Sequence, residues 1–264
     1  DVVEDDGKPR VKIMSFNVRY LNSDDQGANA WANRRKGCYA MINSLRPISM
    51  GVQECTGDQR DDLKNNCPGY EVLGEGRRGS YSDEQCAIFY LKDKYDLEDS
   101  GTFWLSETPD KVSFGWDAAC RRVCTWAVLV NKETGIKYAH LNSHFDHVGI
   151  SARKNSVDMI VEKAKEFTDI PVVFTADMNV KQDSENYNQF VNSGVLYDTK
   201  FSAPDTMNYC TYHDTKPNKH KDDVIDYVMI NDNFEAVSYK VVTEGIDGRF
   251  VSDHYPIYAD IVIK

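Results

Sequence analysis

No apolar run in the 264 residues approaches the roughly 20 needed to span a bilayer, and no apolar loop marks a membrane-seeking surface. A signal segment is not recognisable. The chain opens at Asp1 without Met, so the cytoplasm and export (periplasmic or secreted) both stay open as compartments. Positive charge is scarce: 31 Lys and Arg against 42 Asp and Glu leave a net charge of −11. That balance disfavours tight non-specific binding of nucleic acid, which needs clustered cations to neutralise phosphates. The one compact basic run, KPNKHK at 216–221, reads as a solvated loop. The seven cysteines form no CxxC pair and no zinc spacing; most read as small buried hydrophobes. A single bridge stays open for an exported chain. No Gly-rich or Pro-rich linker divides the sequence, so one domain over 1–264 is expected, with 1–9 as a flexible tail.

What is present is a series of short β-like runs. VKIMSFNV (11–18) alternates, and similar runs recur near 87–91, 124–130, 138–143, 170–175, 224–230, 238–243 and 254–263. Helical stretches fall at 31–45, 56–67, 152–167 and 184–191. Interleaving of this kind predicts a layered α/β domain around large sheets. The order strand, helix, strand recurs in both halves, which suggests a two-fold pseudo-repeat.

Several of these runs end on a costly polar residue. VVFTADMNV (172–180) begins as a buried strand and then presents Asp177 and Asn179, which period two places on one face. Asn17 closes VKIMSFNV, Glu54 closes SMGVQE, and His144 closes YAHLNSH. Asp226 interrupts VIDYVMI, and Asp253 and His254 precede the last strand. Taken singly, each reads as a turn or cap. Together they supply the parts for phosphoryl hydrolysis. Carboxylates hold a hard divalent cation, amides and imidazoles contact phosphoryl oxygens, and Asp226 orients a histidine.

The ordered series resembles the endonuclease/exonuclease/phosphatase superfamily, with its deoxyribonuclease-I-like fold. The resemblance rests on SFNVRY, GVQE, NSHFDH, TADMN, IDYVMI and VSDHYPI, in that order over most of the chain. Ala176 stands where the family usually has glycine. GTFWLSETPD, GWDAACRRVCTWA and HFDHVGISAR are similar to a bacterial and fungal branch related to deadenylase-like enzymes.

The resemblance implies a four-layer α/β/β/α sandwich of two mixed sheets. It also implies a divalent-metal-dependent (Mg²⁺ or Mn²⁺) phosphoric ester hydrolase, with a phosphodiesterase expected first. A DNA or RNA nuclease and a catalytically silent binding module are the alternatives. Metal ligation falls to Glu54, with Asn17 and Asp253 assisting. Catalysis falls to His144, Asp177, Asn179, Asp226 and His254, with either Asp177 or His254 as the base. Substrate contacts are expected from Asn17, Arg122, Asp146, Arg153 and Trp116, the last by stacking. Trp104 and Trp126 read as core, and Arg77, Arg78 and Gly79 as a solvent loop. The expected partner is a small phosphate ester or a nucleic-acid end, met by a monomer.

Overall fold

The computed structural model describes residues 10–167, 169–216, 221–245 and 248–264. The expected tail (1–9) and most of the basic run at 216–221 lie outside the described residues. Strands β1 (Arg10–Asn17), β2 (Ser49–Cys55), β3 (Tyr70–Leu73), β4 (Gln85–Leu91), β10 (Asp205–Thr206), β12 (Phe234–Val241) and β13 (Ile257–Ile263) form one sheet. Its order is β10-β12-β13-β1-β2-β4-β3. Strands β5 (Tyr95–Trp104), β6 (Val123–Asn131), β7 (Lys137–His144), β8 (Val172–Asp177), β9 (Tyr197–Asp198) and β11 (Asp226–Ile230) form the other. Its order is β5-β6-β7-β8-β11-β9.

The pseudo-repeat is visible in the pairing. In the first sheet β1 and β2 are parallel, joined through helix α1 (Trp31–Leu45) and flanked by antiparallel β13 and β4. In the second, β7 and β8 are parallel, joined through α3 (Ile150–Lys165) and flanked by antiparallel β6 and β11. A parallel pair needs such a crossover, and the helix must lie on a sheet face. Helix α1 buries Trp31, Cys38, Met41 and Ile42 on the first sheet. Helix α3 buries Ala152, Val157, Ile160, Val161 and Ala164 on the second. The result is the four-layer α/β/β/α sandwich expected from the sequence.

Local signals set the helix ends. Thr56 and Gln59 form a capping box at α2 (Gly57–Asn66), and the Ser184 hydroxyl accepts from the Tyr187 N–H at α4 (Glu185–Asn192). A short α5 (Thr199–Ser202) follows. All seven cysteines are free thiols and six are buried, so they pack as small hydrophobes.

The sheets do not meet through hydrocarbon alone. A buried polar chain runs between them. Ser15 Oγ accepts from Gln53 (3.1 Å), and Gln53 donates to Asn142 (2.7 Å). Asn142 accepts from Thr175 (3.1 Å), and Thr175 meets His140 Nε2 (2.9 Å). His140 Nδ1 meets Ser49 (2.9 Å), which meets Tyr138 (2.9 Å). Gly51 sits in this seam, where a Cβ would lie 1.9 Å from Thr175 Oγ1 and 2.4 Å from Asn142 Oδ1. Only a hydrogen fits, so the sheets approach closely just beneath the strand ends that carry the site.

Candidate active site

Strands β1, β2, β7 and β8 end at the same edge of the sandwich, where Asn17, Glu54, His144 and Asp177 meet. Ligand sites form at such carboxyl ends. His144 and Asp177 are register partners there, and so are Asp177 and Asp226. Glu54 is turned out of the ladder by a bulge between Val52 and Cys55, with φ +57. Bulges re-aim side chains next to functional sites. Asn179 and Arg19 also have positive φ, at 51 and 56. Three non-glycine residues in that sparse region around one cavity mark a backbone held by its surroundings.

Asn17 ties the carboxylates together. Its amide nitrogen donates to Glu54 Oε1 (3.1 Å) and Asp177 Oδ2 (2.8 Å), and its oxygen accepts from the Arg19 N–H (2.9 Å). The Tyr20 N–H donates to Glu54 Oε2 (3.0 Å). His144 Nε2 lies 3.4 Å from Asp177 Oδ2 and 3.0 Å from the Asn179 amide nitrogen. That nitrogen also donates to the Phe145 carbonyl (3.0 Å), and the Asn179 N–H donates to Asp177 Oδ1 (3.0 Å). His254 Nδ1 meets Asp226 Oδ2 at 2.9 Å, and its Nε2 points to Asp177 Oδ2 at 3.7 Å.

Electrostatics divide the labour. Burial pushes the Asp177 carboxyl up, to about 7, and the Asp226 charge adds to this. Burial would push His254 down, but Asp226 and Asp177 outweigh it and hold the imidazole well above its ordinary value. His144 goes the other way, held well below its ordinary value by burial and by Arg122 and Arg77. One imidazole is therefore charged and the other neutral, with Asp177 between them.

These groups open onto a cavity of about 480 Å³ lined by Glu54, His144, Asp177, Asn179, Asp253 and His254. Its walls add Arg19, Tyr20, Arg77, Glu84, Cys120, Arg122, His147, Tyr212 and Ile225.

Donor atoms of Glu54, His144 and Asp177 lie within 4.8 Å of one another. Among the described residues no Lys or Arg pairs with Glu54 or Asp177. Two converging carboxylates with no Lys or Arg partner, beside the His144 imidazole, suit a hard divalent ion such as Mg²⁺ or Mn²⁺.

The chain belongs to the endonuclease/exonuclease/phosphatase family. The family model matches residues 14–254, which contain every group of the site. An endonuclease/exonuclease/phosphatase family protein from Bacteroides thetaiotaomicron is 34% identical, with TM-score 0.92 over 97% of this chain and 99% of that one. A mannosyl-6-phosphatase from the same species is also 34% identical, with TM-score 0.91 over 96% and 100%. The human Nocturnin catalytic domain is 18% identical, with TM-score 0.75 over 97% and 96%, a likeness of fold. Family members are phosphoester hydrolases.

Not every expected residue reaches the cavity. Asn17 is 1% exposed and positions the carboxylates through its amide nitrogen, while its oxygen accepts from the Arg19 N–H. Asp253 lines the wall but stands apart from the Glu54 group, 3.6 Å from Arg19 Nη1. Asp146 is spent on structure: its carboxylate accepts from the N–H groups of Ala119, Cys120, Val148 and Gly149. Burial would raise it, but those donors outweigh burial and hold it at about 2. Arg153 Nη1 donates to the Asp146 carbonyl (2.9 Å) and does not line the cavity. Trp116 does not line it either; its N–H donates to Glu107. Its neighbour Asp117 caps α3 through the Ser151 and Ala152 N–H groups. Arg122 lines the cavity. Arg77 overturns the solvent reading by facing inward, while Arg78 turns to Asp83 with its side chain 65% exposed.

Proposed function

We propose that the protein is a divalent-metal-dependent phosphomonoesterase acting on a small polar phosphate ester, with sugar phosphates as the first substrates to try. The carrying observation is the convergence of Glu54, His144, Asp177, Asn179 and His254 on one cavity of about 480 Å³. That volume suits a small ligand. A nuclease needs an extended basic groove, which the net charge of −11 does not favour. The similarity to a mannosyl-6-phosphatase along the whole chain supports a monoester over the diester expected from sequence.

Glu54 would hold Mg²⁺ or Mn²⁺, which would supply Lewis-acid stabilisation of charge on the phosphoryl oxygens. The chain's own groups do the rest. Asn17 holds the two carboxylates in place. Asp177 takes a proton from the attacking water as the water oxygen bonds to phosphorus. The ester oxygen leaves with the electrons of the broken P–O bond and is protonated from solvent. His254, charged and held by Asp226, donates to the phosphoryl oxygens as their charge grows. Asn179 fixes neutral His144 against Asp177. A neutral imidazole there leaves the carboxylate free to accept the proton.

The test is phosphate release from mannose 6-phosphate, glucose 6-phosphate and p-nitrophenyl phosphate, beside bis-p-nitrophenyl phosphate and poly(A). A kcat/KM for the monoesters at least about tenfold above the diesters supports the reading. Preference for bis-p-nitrophenyl phosphate or poly(A) overturns it.

A further inference from the structure

One part of the cavity wall has no place in the chemistry above. Arg77 and Glu84 lie on the loop at 74–84 between β3 and β4, and Arg77 Nη2 meets Glu84 Oε1 at 2.5 Å. They share a recess with Glu54, His144 and Arg122. The pair is held from several directions. The Arg77 N–H donates to the Glu84 carbonyl (3.0 Å), and Trp104 Nε1 donates to the Arg77 carbonyl (2.9 Å). Asp83 anchors the turn by accepting from the Arg78 and Ser80 N–H groups. The side chains of Arg77 and Glu84 are 19% and 17% exposed, so they are mostly covered yet reach the cavity.

Charge decides what this wall can recognise. Arg77 is matched by Glu84, and Arg122 by Asp146 at 3.5 Å. Each arginine therefore faces a carboxylate that offsets part of its charge. A second phosphate, or a nucleic-acid backbone, would gain little here. A fixed Arg–carboxylate pair instead offers donors and acceptors side by side, the pattern that matches adjacent hydroxyl groups. A preorganised pair also loses little freedom on binding.

We propose that the Arg77–Glu84 pair, with Arg122 beside it, reads the hydroxyl groups of a polyhydroxylated leaving group and so sets substrate specificity. This rests on the phosphomonoesterase reading, but its test does not need turnover. Calorimetry in Mg²⁺ with an Asp177→Asn protein, which leaves the ligand intact, compares mannose 6-phosphate with ethyl phosphate. The two carry the same charge, and only the first has hydroxyls. Mannose 6-phosphate is expected to bind roughly 10- to 100-fold tighter, the worth of one or two hydrogen bonds to charged groups. Adding Glu84→Gln, or separately Arg77→Gln, should shrink that gap to within about threefold. The proposal is overturned if the gap is absent from the start, or if it survives both substitutions. A gap that behaves as expected, in a protein whose unaltered form hydrolyses neither ester, would sink the phosphomonoesterase reading alone.

Discussion

His140 offers a test of the seam between the sheets. The residue is fully buried, with Nδ1 on Ser49 and Nε2 on Thr175, both at 2.9 Å. Both contacts suit a neutral ring, one nitrogen donating and the other accepting. Burial pushes its pKa from 6.5 down to about 3. A depressed folded pKa contributes stability that is present above 6.5 and lost as pH falls toward 3. At pH 4 the proton is shut out over about 2.5 pH units, and at 1.36 kcal/mol per unit the loss is about 3 kcal/mol. The perturbation is His140→Gln, whose amide also offers one donor group and one acceptor but does not titrate. Urea unfolding of both proteins at pH 7 and pH 4 cancels the carboxylates they share. The original protein should lose about 3 kcal/mol more than the variant over that interval. Equal losses in the two proteins would refute the reasoning.

Further predictions concern the same frame and the site above it. Gly51→Ala forces a methyl group into Thr175 and Asn142, and should cost about 3 kcal/mol in urea unfolding. A cost below about 0.5 kcal/mol would mean the sheets are farther apart than described. Asp226→Asn removes the negative charge that keeps His254 protonated and should lower kcat about 100-fold, with the thermal midpoint shifted by only a few degrees. Unchanged kcat would remove His254 from the mechanism.

Much of the site was legible because its residues break strong local patterns. Asn17, Glu54, His144 and Asp177 interrupt strands that are otherwise buried throughout, where a polar residue is costly enough to stand out. The crossover helices were legible from their apolar stripes. Strand β5 was not, because YDLEDSGTFW lies at a sheet edge with most residues exposed and carries no alternation. Arg77 and Glu84 were hidden for a related reason. GEGRRGSYSDE has the composition of a solvated turn, and what draws Arg77 inward is Trp104, a residue 27 positions away. Asp146 misled in the opposite direction. Its motif looks chemical, but its oxygens are consumed by the N–H groups of Ala119 and Cys120, far away in sequence. Periodicity shows which face a residue takes, and it does not show which distant backbone will satisfy it.

The central claim is that Glu54 and Asp177 form the floor of a metal-dependent phosphoester hydrolase. Phosphate release from mannose 6-phosphate, measured in Mg²⁺, in Mn²⁺ and in EDTA with Glu54→Ala alongside, tests it most directly. The account predicts turnover with either ion, none in EDTA, and a loss of at least about 1,000-fold in Glu54→Ala with the fold intact. Turnover that persists in EDTA, or a Glu54→Ala protein as active as the original, would contradict it.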